Sequence, residues 1–422
     1  MAEKPSKSSF IKKIALNARL AATEIAVFDS EAKNAALEKI ASELIKRRAE
    51  ILEENSKDLA DAEKNKTGGA LAERLMIDNR RVEEMSEGIA EVARLEDPVG
   101  QVVPFMKRPN GLVVEKMRIP LGVIGMVYES RPNVTADSAA LCLKSGNSVI
   151  LRGGSESLRS NIAIGKIISD CLSACGINPS AVSVVPDADR KHVLEMLKLD
   201  GLIDLIIPRG GEALIRFVAE NSSIPVLKHY KGICHIFVDE SAKTDMAVDI
   251  CVNSKVQRPG VCNAMETMLV HEKAAANFLP VVAEKMTKND VTMKGCPKTA
   301  ALVANCKKAT EKDWETEHLG LVLGIRVVKD IEEAMDHISK YGSMHTDSII
   351  TENTENARRF LRGVESSAVM HNASTRFNDG GELGMGAEIG ISTTKIHAFG
   401  PMGLKELTSE KFVVRGNGQT RN

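Results

Sequence analysis

The chain has 422 residues, enough for two or three domains that each bury a core. A net charge of −1 without a basic block argues against a nucleic-acid footprint, and an aromatic content of 3% argues against stacking platforms for single strands. Scattered cysteines without a CxxC pair suit a reducing compartment, no apolar run reaches membrane-spanning length and the N-terminus lacks a signal-peptide core, so a cytoplasmic globular protein is expected.

From about Phe10 to Val92 apolar residues recur at three-four spacing, as in Leu37, Ile40, Ala41, Leu44 and Ile45, with Glu and Lys between them. That period predicts amphipathic helices, and Asp29-Ser30 ahead of Glu31 reads as the N-cap of the second. Over 101–119 the pattern changes. Two β-rich runs flank Arg108-Pro109-Asn110-Gly111, and Asn-Gly between such runs signals a hairpin. A hairpin placed there has few local partners, so pairing across a subunit interface is expected, with 411–415 as a strand to join it.

Residues 119–239 alternate short apolar runs (123–128, 148–151, 182–185, 202–207 and 233–238) with helical stretches such as 157–172 and 212–220. This order predicts a parallel sheet covered on both faces, with ligands bound at the carboxyl ends of its strands. Two of those ends read Arg152-Gly153-Gly154 and Arg209-Gly210-Gly211, each running into a helix. Paired glycines let backbone approach a phosphate, and a helix N-terminus adds free N–H groups and positive dipole. The chain contains no GxGxxG fingerprint, but two arginine-bearing corners point to a phosphorylated ligand. Arg152 and Arg159 facing a ribose phosphate would favour NADP over NAD.

A second α/β unit follows, with helices expected over 273–287 and 330–340 and strands over 301–304, 321–328, 347–351 and 366–370. Between the two units lies Cys262, in a turn punctuated by Pro259 and Gly260 and followed by the apolar run 268–270. A reactive thiol belongs on such a loop, held by rigid flanks, with its own backbone N–H open to a ligand. The competing reading is a buried, inert cysteine. Cys171 and Cys175, at i,i+4 in an apolar run, read as a packed helix face rather than a zinc site. The polar, glycine-rich loop over 372–390 carries Arg376, an anchor for a carboxylate or phosphate.

Six long words carry a family resemblance: VYESRPNVT (127–135), VILRGG (149–154), IPRGG (207–211), QRPGVCNAMET (257–267), NASTRFNDGG (372–381) and KIHAFGPMG (395–403). Together, and in this order, they are similar to the gamma-glutamyl phosphate reductases, the proline-biosynthesis members of the aldehyde dehydrogenase superfamily. The resemblance spans nearly the whole chain. It implies an aldehyde dehydrogenase-like α/β fold: a Rossmann-type parallel-sheet domain for NADP (1–100 and 120–238) and an α/β catalytic domain (239–372). A return loop (373–400) and a small β oligomerisation element (101–119 with 401–422) complete it.

The implied reaction is NADPH-dependent reduction of L-glutamyl 5-phosphate to L-glutamate 5-semialdehyde, with release of phosphate and a thioester on Cys262. Asn133 joins the Cys262 N–H as oxyanion donor. Arg152, Gly153, Gly154, Gly210, Gly211 and Glu317 are assigned to the cofactor, and Arg376, Ser374, Thr375 and His345 to the substrate. No metal is called for. A homo-oligomer is expected, as is transient association with glutamate 5-kinase, because the acyl phosphate is unstable in water. The segment 226–235 lacks the carboxylate with which hydrolytic relatives activate water, which speaks against the first alternative, an oxidative semialdehyde dehydrogenase. Cys262 in its full motif speaks against the second, a silent dinucleotide-binding scaffold. One departure is Phe399, where the family usually carries Arg.

Overall fold

The three-four spacing near the N-terminus forms five helices, α1 (Phe10–Ile25), α2 (Ser30–Lys46), α3 (Arg48–Lys64), α4 (Gly69–Leu75) and α5 (Asn79–Arg94). The computed structural model describes residues 9–65 and 69–421. Asp29 caps α2 as expected, its side chain accepting the Ala32 N–H at 2.8 Å. The expected hairpin is present as antiparallel β1 (Val102–Lys107) and β2 (Val113–Pro120). Its turn closes through the Arg108 N–H to Leu112 O at 2.7 Å, with Gly111 at φ +90°, a conformation that favours glycine.

Alternating strands and helices follow: β3 (Val123–Tyr128), α6 (Asn133–Lys144), β4 (Ser148–Arg152), α7 (Leu158–Ala174), β5 (Val182–Val184), α8 (Arg190–Met196), β6 (Leu205–Arg209) and α9 (Glu212–Asn221). The strands form a parallel sheet in the order β5-β4-β3-β6. Ile11, Ala15, Ala18 and Ala22 of α1 share a core with Val123, Val127, Ile150 and Ile206 of that sheet. The run at 233–238, expected as its fifth strand, pairs elsewhere. A mostly apolar strand, with His235 its one polar residue, suits a doubly covered position in either sheet, so its composition does not choose between them.

That run is β7 (Cys234–Val238), and it enters a second sheet. After it come α10 (Thr244–Val256), β8 (Met265–His271), α11 (Glu272–Lys288), β9 (Thr292–Gly295), α12 (Pro297–Ala300), β10 (Lys307–Lys308), α13 (Glu311–Trp314), β11 (Val322–Val328), α14 (Ile331–Tyr341), β12 (Thr346–Ile350), α15 (Thr354–Gly363) and β13 (Ala368–His371). All these strands are parallel, in the order β10-β9-β11-β8-β7-β12-β13. Side chains alternate between its faces. Ile236, Val238, Met268 and Val270 pack with Phe278, Leu279 and Val282 of α11, whereas Phe237, Leu269 and Ile349 pack with Ile331, Ile338 and Phe360 of α14 and α15. The strand expected over 301–304 is instead a turn, because the Leu302 and Val303 N–H groups both bond back to Thr299 O at 3.0 Å at the end of α12.

The short pair β14 (Ile391–Ser392) and β15 (Gly400–Pro401) precedes the final strand, β16 (Thr408–Arg415). β16 pairs antiparallel with β2, giving the order β1-β2-β16. This sheet leaves apolar side chains in solvent, with Phe412 at 61% and Val103 at 57% exposure. The chain forms two units, Met1–Lys228 with Met385–Gly390 and Met402–Asn422, and His229–Gly384 with Ile391–Pro401. Among the described residues no helix is long and apolar enough to cross a membrane.

Candidate active site

In the first unit the carboxyl ends of β3 and β4 and one side of α9 open on a cavity of about 870 Å³, lined by Glu129, Arg152, Gly154, Glu156 and Arg190 among others. The chain leaves β3 through Ser130 at φ +37°, where its N–H and hydroxyl both donate to Glu156 Oε1, at 2.8 and 2.6 Å. Arg152 is buried. It donates to Gly153 O at 2.8 Å and to Ala188 O, while its Nε has no partner among the described residues. Burial pulls its guanidinium below the ordinary arginine range. A buried donor without a partner, beside a cavity of this size, suits an anionic ligand such as a dinucleotide phosphate. Arg159 lines the same cavity, paired with Asp61 at 2.8 Å and Asp58 at 3.4 Å, which line it too.

The glycines at the two corners differ. A Cβ on Gly153 would lie 2.1 Å from Asn161 Nδ2 and 3.1 Å from the Tyr128 ring, so this glycine serves packing. A Cβ on Gly154 would lie 2.2 Å from Glu156 Oε1, the oxygen that Ser130 holds. At the other corner a Cβ on Gly210 would meet Glu129 Oε2 at 2.5 Å, and the Gly211 N–H at the start of α9 donates to that same carboxylate at 2.9 Å. A carboxylate thus caps the helix terminus that the sequence assigned to an anion. Asn133 is exposed at the start of α6 and donates from Nδ2 to Asp137 Oδ2 at 3.0 Å. Burial raises the Asp137 carboxyl to about 6, against the opposing pull of Asn133 and Arg209.

In the second unit the Cys262 loop runs from the end of α10 to the start of β8, and a buried ion pair ties its two ends. Lys255 Nζ lies 3.0 Å from Glu266 Oε2, and Glu266 Oε1 also takes the Leu319 N–H at 3.1 Å. Burial raises Glu266 to about 7 and lowers Lys255, each opposed by its partner. Arg376 braces the loop from the far side, donating from Nε to Gln257 Oε1 at 2.7 Å and from its fork to Asn263 Oδ1. Burial, then Arg258, draws its guanidinium down, whereas Asp379 and Cys262 pull the other way. Underneath, a Cβ on Gly232 would sit 1.9 Å from Cys262 O, so only glycine fits there. The Gly232 N–H donates to Glu317 Oε1 at 2.9 Å, and Cys234 Sγ donates to Cys262 O at 3.1 Å.

Cys262 is half-buried, whereas Cys142, Cys171, Cys234 and Cys251 are buried. Burial raises all four of those thiols, Cys171 to about 11, which keeps them protonated and inert. Two imidazoles accompany Cys262. His345 Nδ1 meets Thr346 Oγ1 at 2.7 Å, His229 Nδ1 donates to Ile391 O at 2.8 Å, and the ring centroids are 5.4 Å apart. Ser374 and Thr375 are buried at the end of α10. The Ser374 hydroxyl bonds Ser254 Oγ at 2.8 Å and Asn253 Oδ1 at 2.7 Å, and the Thr375 N–H donates to Ser254 Oγ at 3.3 Å. Both therefore hold the Arg376 loop in place. Phe399 is half-buried, with Lys395 Nζ 5.9 Å from its ring centroid.

Sequence reasoning gave no role to His229, Lys255 or Glu266. Glu266 did carry a signal, since it is the one charged residue in the mostly apolar stretch 264–270 and so announces a buried partner.

The aldehyde dehydrogenase family model matches residues 6–301. A gamma-glutamyl phosphate reductase from Desulfatibacillum aliphaticivorans is 55% identical over 99% of this chain and 100% of its own. Another, from Geobacter metallireducens, is 56% identical over 97% of this chain and 98% of its own. The crystal structure of the gamma-glutamyl phosphate reductase from Thermotoga maritima superposes with a TM-score of 0.96 at 47% identity, over 98% of this chain and 100% of that one. The chain belongs to the aldehyde dehydrogenase family, among its gamma-glutamyl phosphate reductases.

Proposed function

We propose that this enzyme reduces L-glutamyl 5-phosphate to L-glutamate 5-semialdehyde with NADPH, releasing phosphate, through a thioester on Cys262. The observation that carries the reading is a half-exposed thiol on a loop braced by Arg376 at Gln257 and Asn263. Cys262 Sγ attacks the acyl carbon, the carbonyl electrons move onto oxygen, and their return expels phosphate. The Cys262 N–H and the Asn133 amide are the donors we assign to that oxygen. The remaining donors of the Arg376 fork suit the substrate carboxylate. Within the first unit, Arg152 would hold the dinucleotide phosphates, and the Gly210-Gly211 corner would join it once Glu129 releases the Gly211 N–H. When bound, a reduced nicotinamide supplies the hydride that converts the acyl group to an aldehyde.

Two carboxylates bonded to the loop's surroundings are already engaged, Glu266 by Lys255 and the Leu319 N–H, and Glu317 by the Gly232 N–H. Neither is poised to activate water, which supports reduction over hydrolysis. The solvent-facing apolar sheet of β1, β2 and β16 supports assembly into a homo-oligomer. The instability of an acyl phosphate in water favours delivery by transient docking of glutamate 5-kinase in the cytoplasm.

The test runs the reaction backwards with glutamate semialdehyde, phosphate and NADP. NADP reduction should require phosphate and vanish in Cys262→Ala while dinucleotide binding persists. Phosphate-independent oxidation, or turnover that survives the loss of the thiol, would overturn the assignment.

A further inference from the structure

Cys262, His229 and His345 present one ligand atom each, all within 4.8 Å of one another. The sheet builds this cluster. β8, β7 and β12 are neighbours in the second sheet. Cys262 precedes β8, His229 precedes β7 and His345 immediately precedes β12, so three adjacent strand entries converge on one point. The strands that follow the three residues are held side by side by a parallel ladder.

The donor set is chemically selective. One thiolate and two imidazoles match a borderline-soft divalent ion, while hard cations such as Mg²⁺ and Ca²⁺ require oxygen ligands that the cluster lacks. Zn–S and Zn–N bonds place ligand atoms about 3.5 Å apart in a tetrahedral site. Closing from 4.8 Å asks each side chain to shift by less than about 1 Å. His229 is already oriented for ligation. Its Nδ1 faces the Ile391 carbonyl, which only accepts, so Nδ1 carries the proton and Nε2 presents its lone pair. A carbonyl on the far nitrogen is the outer-shell device that fixes metal-binding histidines.

We propose that Cys262, His229 and His345 form a reversible site for a thiophilic divalent cation, Zn²⁺ above all, that silences the nucleophile. On binding, the Cys262 thiol releases its proton to solvent as the Zn–S bond forms, and the two imidazoles displace metal-bound waters. No electron changes hands. Three protein ligands leave a fourth position to water, which keeps the ion exchangeable. With the sulfur lone pair engaged, attack on an acyl carbon stops until a chelator removes the ion.

The experiment uses the whole metal-free protein titrated with Co²⁺, then with Zn²⁺. The expected result is a single equivalent of Co²⁺ bound with a thiolate-to-cobalt charge-transfer band that Zn²⁺ displaces. The band should be absent in Cys262→Ser. Loss of an outer-shell partner already weakens metal sites by about 10–100-fold, so His229→Ala should bind at least about 100-fold more weakly. His345→Gln should do the same. Because His345 is fully buried and its variant can misfold, the second readout is made on the half-buried His229. Zn²⁺ should slow iodoacetamide labelling of Cys262 in the parent and not in His229→Ala. A cobalt band that persists in Cys262→Ser, or unchanged affinity and labelling protection in His229→Ala, overturns the proposal. Both readouts are independent of turnover, so their failure leaves the reductase reading standing.

Discussion

The two units fix their functional loops by opposite means. In the first, the corners after β4 and β6 are set by atoms that are absent: a Cβ on Gly153 or Gly210 would come within 2.1 Å of Asn161 Nδ2 or 2.5 Å of Glu129 Oε2. In the second, the Cys262 loop is set by atoms that are present, the buried Lys255–Glu266 pair and the Arg376 fork. Steric definition is indifferent to pH and salt. A loop tied by buried charges keeps its shape only while each charge has its partner. Backbone N–H groups aimed at a ligand need the first kind of support, and a single side-chain atom held at reacting distance can be given by the second.

The contrast is sharpest where a partner is removed. Lys255→Met strands Glu266 without compensation and should cost about 3–5 kcal/mol in chemical denaturation. Adding Glu266→Leu should restore most of that loss, and no recovery would mean that the pair is not the clamp. Gly232 is the place where the Cys262 loop itself depends on a missing Cβ, which would lie 1.9 Å from Cys262 O. Gly232→Ala pushes against the Cys262 carbonyl and should lower kcat by about 100-fold, the scale of a 1 Å misplacement, with dinucleotide affinity unchanged in a fluorescence titration.

In the first unit, Gly153→Ala should destabilise by about 1–3 kcal/mol through overpacking. Gly211→Ala, whose Cβ would find its nearest neighbour at 3.9 Å, should stay within about 0.5 kcal/mol. Equal losses by thermal denaturation would erase the distinction between the two corners. The smallest effect concerns Asp137. Its folded pKa is raised to about 6 by burial, so it favours the fold while protonated, and that contribution is lost as pH rises from the ordinary carboxylate range through about 6. Asp137→Asn does not titrate. Its stability relative to the parent should therefore climb across that window and level off above it, and a flat difference would show that Asp137 ionises freely.

Much of the fold was legible because hydrophobic period is local. The run at 123–128 gave β3, the Asn-Gly turn gave β1 and β2, and Asp29 gave the start of α2. Sheet membership is not local, which is why 233–238 read as part of the first sheet and stands in the second. Val303 illustrates another limit: a short apolar stretch after α12 keeps helical-type bonds to Thr299 and never extends. At the site, Cys262 and Arg376 stood out through their loops. Lys255 and Glu266, eleven positions apart, had no assigned role, and only the arrival of α10 beside β8 turns them into a buried pair. His229 acquires its neighbours in the same way, from strand order rather than from spacing.

The closing of β16 on β2 has a consequence for how the molecule is made. Arg118 and Thr408 meet across 290 positions, and Asn147 bonds Leu407 O across 260, so the first unit is completed only by residues made after the second. Until then β2 has an open edge while the whole second unit is synthesised. Closure of so long a loop is slow, and an exposed strand edge invites pairing with a neighbouring nascent chain. A chain cut before β16 would therefore be damaged more in its first unit than in its second.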